Sequence, residues 1–541
     1  MSEYAGDAPN LGDREPTGGP TGGPGLLRTD TLADTVLVLL SLSVIQRLVG
    51  FCRAILFCRW LAPDELGQWD MAFNFLLLAA PVSVLALTGS FPRYAEHYLR
   101  RGQLRTVLRR TAVACAVLGA ASAVLIHLAG RWFSLLVFGT PERTDLITVL
   151  AVALLATIAM HYFVDLFSAL RNVRLISGLY LANSLIFAAL GIGLLLGWQC
   201  TALSVVVAYA GSAALAAAGG AFWLVRNWRA IPGDAAPPPH RELWSKLLPF
   251  AAWTWVSSMM ANLFAIADRC MIVHYSPGSA SEALARVGEY HSSRVLPALL
   301  VSIAMILSSI ITAHLSHDWE AGRRDRVGAR MNLVLKLFGF GLAIAAVGIL
   351  LAAPVLFRGF FQGKFAGGLA VLPWTLTYCV WFAMLIIAQT YLLCRERAYL
   401  SSIAMFAGLA INVGLNLLLL PRLGLLGAVL ATTAANFAAL LLITAFNHRL
   451  GFRMDLGAWL VLAVPLVFCL GPWVTLAVLL VLVLEASNSE RLLSRDEKRQ
   501  LAKAAAEYWT RLRELLTALR LAGGRADRAV SGATPLAPDR E

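Results

Sequence analysis

The chain has 541 residues, 58% of them hydrophobic and 14% charged, with a formal net charge of +13 at pH 7. An average soluble domain is about 45–50% apolar and about 25% charged, so a soluble enzyme with a single anchor is excluded. The excess lies in runs near the roughly 20 residues that cross hydrocarbon, and the positive charge gathers in the short loops between them, as in a multi-pass membrane protein; no nucleic-acid partner is expected.

Residues 1–31, with "PTGGPTGGPG", are Gly/Pro-rich and expected to be a disordered cytoplasmic segment. They lack a basic n-region and a small-residue cleavage site, so the first apolar run is expected to stay in the membrane. Spans are predicted near 35–60, 69–91, 111–130, 145–169, 176–196 and 200–225, forming a first lobe over 32–225. The polar, Pro-rich stretch "RNWRAIPGDAAPPPHREL" reads as a cytoplasmic loop, 226–246. Spans near 247–273, 290–313, 333–353, 370–393, 399–420 and 425–446 follow and form a second lobe, 247–448. The last apolar stretch, 458–486, is broken at Gly471-Pro472 and predicts a pair of short helices. The total is about fourteen spans, or twelve without that pair. Over 490–522, Leu501, Ala505, Tyr508, Leu512, Leu515 and Leu519 recur at helical spacing between basic residues. This predicts an amphipathic helix on the inner membrane surface, with a coiled or partner-binding helix as the alternative. Residues 523–541 are expected to be disordered.

Even-numbered loops carry the positive charge: Arg93, Arg100, Arg101, Arg105, Arg109 and Arg110 in loop 2, Arg171 and Arg174 in loop 4, Arg323, Arg324, Arg326 and Arg330 in loop 8. Both termini are therefore expected in the cytoplasm. The eight cysteines are scattered, with no C-x-x-C pair and no clustered histidines, so neither disulfides nor a metal is expected. No G-x-x-x-x-G-K-[ST] string occurs, so ATP is not the direct energy source, and no cofactor is expected.

The second half echoes the first. "EHYLRRGQLRTVLRR" aligns without a gap on "SHDWEAGRRDRVGAR", bringing His97, Gly102 and Arg110 onto His317, Gly322 and Arg330. "LGQW" (Leu66 to Trp69) matches "VGEY" (Val287 to Tyr290). This is a parallel repeat of six helices, an arrangement that places a binding site between two lobes and gives alternating access by rocking.

The order and spacing of "RLVGFCRAILFCRWLAPDELGQW", "FAIADRCMIV" and "INVGLNLLLLPRLGLLGAVLAT" resemble the multidrug/oligosaccharidyl-lipid/polysaccharide exporter superfamily. The resemblance is closest to its polysaccharide transporter branch of Wzx-type flippases. It covers about residues 32 to 450, with Asn412, Asn416, Pro421, Gly424, Gly427 and Ala428 matching one family pattern. The resemblance implies an all-α polytopic protein with two pseudo-symmetric six-helix lobes around a central cleft plus a C-terminal helix pair. It also implies translocation of undecaprenyl-pyrophosphate-linked oligosaccharide across the bacterial plasma membrane, with polysaccharide-assembly enzymes as candidate partners. A cation-coupled multidrug exporter of the same fold is the alternative; it should carry an acid on helix 1 and fewer cleft arginines. Lipid II flippases share the R-x-x-G-F-x-R segment, but Ala54 stands where they carry an Asp. A membrane glycosyltransferase, polymerase or ligase would need a sizeable outer loop bearing acids or a metal site, and none is present; the chain is not expected to be an enzyme.

Arg47 and Arg53 lie inside helix 1. An Arg at mid-membrane costs about 2.5–3.5 kcal/mol, which several Leu and Val offset at about 0.3–0.6 kcal/mol each; the helix inserts, but the arginine should avoid lipid. Arg47 is the stronger candidate to bind an anionic headgroup in the cleft. Arg53, six residues on, is about 120° around a regular helix and shares that face only if Gly50 bends it. Arg294, entering helix 8, resembles a position that is often basic in the same relatives. Guanidinium groups suit a diphosphate because they bind its oxygens bidentately and keep their charge. Asp268 is expected either to face Arg53 across the cleft or to pair locally with Arg269. His161 and Asp165, one turn apart, are candidates to carry a coupling proton, unless Asp165 pairs with Arg171.

Overall fold

The computed structural model describes residues 32–231, 237–503, 506, 507, 509, 510 and 513; they are almost wholly helical, with no strand among them. The first half contains α1 (Leu32–Trp60), α2 (Pro63–Ser83), α3 (Phe91–Arg100), α4 (Leu104–Leu128), α5 (Gly130–Phe138), α6 (Thr144–Ala169), α7 (Val173–Gly197) and α8 (Ala202–Arg226). The second contains α9 (His240–Tyr275), α10 (Ala280–Arg294), α11 (Pro297–Glu320), α12 (Arg324–Val355), α13 (Ala366–Ala388), α14 (Thr390–Cys394), α15 (Ala398–Leu423) and α16 (Leu425–Arg449). Two short helices, α17 (Leu456–Ala463) and α18 (Pro472–Asn488), follow.

Each half packs around its fourth span. α6 has no continuous polar face and is covered by α4, α8 and α2; α13 is covered by α11, α12 and α16. A helix without a polar face belongs in the middle of a bundle. α1 packs mainly on α7, and α9 mainly on α15, so the two halves form lobes of matching design. The repeat is also visible in the turns after α3 and α11. Gly102 (φ +67°) and Gly322 (φ +73°) both take the left-handed conformation that glycine adopts without strain. The N–H of Gly102 donates to Leu99 O and that of Gly322 to Trp319 O, each at 3.0 Å.

Among the described residues ten helices are long and apolar enough to cross a membrane, and twelve if two bent pairs count as single spans. One pair is α2 with the Leu87–Arg100 segment, bent by 63° after Pro81; the other is α9, bent by 54° after Phe264. At the first bend Leu85 (φ +50°) and Ala86 (φ +47°) are left-handed without being glycine. The predicted fourteen spans would need Leu456–Leu470 and Pro472–Asn488 as well, and both are shorter than a full span because Gly471 (φ +102°) and Pro472 part them.

The predicted second and eighth spans start too late. α2 begins at Pro63 and α10 at Ala280, so the polar stretches "PDELGQWD" and "ASEALARVGEYHSSR" are helix. Two of their polar residues, Asp70 and His291, meet across the lobe interface, and α2 crosses α10 at Gly67 and Gly288, where backbone touches backbone. A Cβ on Gly67 would lie 1.9 Å from Leu284 O, and one on Gly288 1.9 Å from Pro63 O. The same end of the bundle, called the Ala62 end below, is tied further by Lys364 Nζ donating to Arg59 O (2.8 Å) and His274 Nε2 meeting Leu136 O (2.9 Å). At the opposite end the first half of α9 leans on the first lobe, with Tyr94 edge-on to Phe250 at 5.8 Å.

The segments expected to be disordered, 1–31 and 523–541, lie outside the described residues. Of the tail helix expected over 490–522, residues 495–503 are helical. Ser494 and Glu497 form a capping box at its start. Glu497 also joins Asp455 on the buried ammonium of Lys336, with N···O distances of 2.6 and 2.7 Å, so the tail helix is pinned to α12.

Candidate substrate-binding cleft

Between the lobes, just inside the Gly67–Gly288 crossing, lies a cavity of about 350 Å³. α1 contributes Arg47, α2 Asp70, α9 Arg269, and α10 His291 and Arg294, set among apolar groups such as Phe51 and Phe73. Arg47 turns to this cavity, and its Nε is buried without a hydrogen-bond partner. Arg294 occupies the last turn of α10, the end of a helix dipole that favours cations. Its guanidinium stands 5.5 Å from the centre of the Tyr290 ring. Neither Arg47 nor Arg294 forms a salt bridge among the described residues, and Arg294 lies in the field of Asp70. Two such cations facing one cavity, with a third from Arg269, outnumber the acid that lines it and favour an anion.

One acid does reach the cavity, and it crosses the lobe boundary. Asp70 is 3% exposed. One carboxylate oxygen accepts from Arg269 Nε; the other accepts from His291 Nδ1 at 2.7 Å and Asn74 Nδ2 at 3.3 Å. A carboxylate can only accept, so the histidine tautomer that fits carries its proton on Nδ1.

The structure does not bring Arg53 into the cavity. Its Nη1 donates to Ser184 O (3.4 Å) and its guanidinium lies 4.1 Å from the Phe187 ring centre, between α1 and α7. α1 runs unbroken past Gly50, so the 120° offset from Arg47 stands. Nor does Arg53 face Asp268, which is buried in the second lobe and accepts from Tyr290 Oη (2.9 Å) and Asn412 Nδ2 (2.6 Å). Asp268 and Arg269 are neighbours in sequence whose side chains go to different lobes: the aspartate binds within its own, the arginine reaches Asp70.

A second cavity, of about 330 Å³, lies where α2 breaks. His161 and Asp165 line it with Thr88, Tyr180 and Asn262. Arg171 does not take Asp165; it pairs with Glu96 at 3.2 Å on the surface.

Sequence reasoning missed Asp70, Arg269 and His291 as cleft residues, because their pairing links positions some 200 residues apart. A signal was present. Extending the "LGQW"/"VGEY" match by one residue puts Asp70 opposite His291.

A family model described as "Polysaccharide biosynthesis protein" matches residues 32–315. The "Uncharacterized membrane protein YabM" of Bacillus subtilis (strain 168) is 31% identical over 205 residues; the match spans 37% of this chain and 37% of that protein. Among solved structures, the lipid II flippase MurJ in an inward closed conformation superposes with a TM-score of 0.65 at 13% identity, over 83% of this chain and 99% of that one. A multidrug resistance MATE family transporter of the MOP superfamily, in an inward-facing conformation, gives 0.59 at 16%, over 77% and 98%. A MOP superfamily transporter from Pyrococcus furiosus gives 0.53 at 14%, over 80% and 99%. At such identities these structures establish a common fold and nothing finer.

Proposed function

Because the chain belongs to the polysaccharide biosynthesis protein family, we propose that it is a flippase. It carries undecaprenyl-pyrophosphate-linked oligosaccharide from the cytoplasmic to the outer leaflet of a bacterial plasma membrane by alternating access. The carrying observation is the cavity between the lobes with Arg47 and Arg294 turned into it, neither in a salt bridge among the described residues. That arrangement suits a diphosphate joining a lipid to a sugar: guanidinium grips phosphate bidentately and cannot be neutralised by proton loss. Affinity should be moderate, because a carrier must also release its load.

In this reading both termini are cytoplasmic, so the Ala62 end faces outward. The lobes are 32–225 and 247–448, joined by the 226–246 loop, with the helix pair of 458–486 beside them. His161 and Asp165, in the second cavity, are candidates to exchange a coupling proton; Asp268 holds the second lobe together through Asn412 and Tyr290.

The test is reconstitution into vesicles with fluorescent undecaprenyl-pyrophosphate glycans. Arg47→Ala and Arg294→Ala should each lower translocation by about tenfold or more, the loss of one or more charge-assisted contacts. Translocation unchanged in both would remove the proposed site. Export of cationic drugs with no glycan movement would favour the multidrug exporter instead.

A further inference from the structure

The ion pair of Asp70 with Arg269 and its hydrogen bond from His291 tie the two lobes together at the rim of the cavity proposed for the headgroup. Asp70 is one turn along α2 from Gly67, and His291 one turn along α10 from Gly288, so the pair lies directly inside the backbone crossing that closes the Ala62 end. Among the described residues Asp70 is also the only acid lining the cavity, beside Arg47, Arg269, His291 and Arg294.

We propose that Asp70 is a built-in substitute for the substrate's diphosphate: Arg269 and His291 are headgroup ligands that Asp70 occupies while the Ala62 end is shut, and an arriving diphosphate displaces it and unlocks the crossing. This deepens the flippase reading and rests on it. A carboxylate offers two oxygens and one negative charge, whereas a diphosphate diester offers more acceptor oxygens and about two charges; Arg269 and His291, together with Arg47 and Arg294, are better satisfied by the latter. A ligand shifts a conformational equilibrium only by its difference in affinity for the two states. The exchange supplies that difference, because Arg269 and His291 are open to an outside anion only once Asp70 has let go. The displaced Asp70 does not stay a buried unpaired charge, since parting α2 from α10 admits water from the Ala62 end. After release of the headgroup, Asp70 returns to its partners and closes the lobes again.

The role separates Asp70 from its partners in sign. If the pair were only a structural tie, Asp70→Asn and Arg269→Gln would loosen the crossing alike and leave anion binding alike. If Asp70 competes with the anion, removing it should tighten binding, while removing Arg269 should weaken it. The experiment uses the full chain in nanodiscs with inorganic pyrophosphate as probe. It combines calorimetric titration with amide hydrogen exchange over residues 63–70 and 284–291. Pyrophosphate should speed exchange at the crossing in the native protein. Asp70→Asn should speed it without pyrophosphate and bind pyrophosphate about tenfold more tightly, the scale of one competing charge-assisted contact. Arg269→Gln should bind about tenfold less tightly, and Asp70→Glu should restore native behaviour at least in part. Equal pyrophosphate affinity in the native protein, Asp70→Asn and Arg269→Gln overturns the exchange and leaves the headgroup cavity standing. Absence of pyrophosphate binding in all of them, with native exchange patterns, removes the anion cavity and the exchange together.

Discussion

Arg53 shows what one side chain's surroundings decide. It was a headgroup candidate by its place in the motif, yet it rests on the Phe187 ring and the Ser184 carbonyl. Arg53→Met should therefore leave pyrophosphate affinity within about twofold while destabilising the protein by about 2 kcal/mol, the value of a desolvated cation–π contact. Paired titration and thermal denaturation would check this. Lys336 is the opposite case, a lysine in an apolar run with no motif or spacing to single it out. It is 3% exposed and binds both Asp455 and Glu497. Lys336→Met leaves two acids without their cation and should cost about 3 kcal/mol, the lower range for breaking a buried pair because Asp455 is partly exposed. Asp455→Asn on the Met background should recover part of the lost melting temperature. At this scale the helix-1 arginines were legible as charges needing a reason. Their partners were not, because hydropathy and spacing carry no record of contacts between distant segments.

Helices were the most legible feature, because each is a long apolar run bounded by charged loops. The errors fell at α2 and α10, whose first halves read as loops. Polarity marks a segment as unfit for lipid, but it does not distinguish a loop from a helix buried against another polar helix. The Gly67–Gly288 crossing depends on that close approach. Gly67→Ala puts a Cβ 1.9 Å from Leu284 O, so the helices must part, at a cost of about 1–3 kcal/mol. This should raise the open-to-closed ratio at the Ala62 end by about ten- to a hundredfold. A cysteine placed at Ala54, in the cavity lining, would report it through faster labelling by a membrane-impermeant maleimide in a background lacking Cys52 and Cys200. Gly288→Ala should match it, and the double variant should add less than the sum, since both act on one contact. Farther along the chain, Ser494→Ala removes the capping box of the tail helix. It should cost about 1 kcal/mol, seen as faster amide exchange confined to 495–503.

At the scale of the whole molecule, two lobes and a cleft were legible from loop charges and the internal repeat, while the position of the cavity followed only once α2 and α10 were seen to cross. The tail lies apart from this design, and removing residues 490–541 should lower the melting temperature by stripping Glu497 from Lys336, yet leave pyrophosphate affinity intact. The crossing also has a bearing on how such a chain came about. Pro63 holds the same place in the first repeat as Leu284 in the second, so Gly67 meets Leu284 as Gly288 meets Pro63. That reciprocity is the mark of an isologous contact between identical subunits, here enclosed in one polypeptide. Between true copies, the next turn would bring a residue against itself: acid to acid, or imidazole to imidazole. Fusion lets the two positions diverge, and in this chain they have become Asp70 and His291. A hydrogen bond from an imidazole to a carboxylate across the symmetry axis is something that a homodimer could not encode.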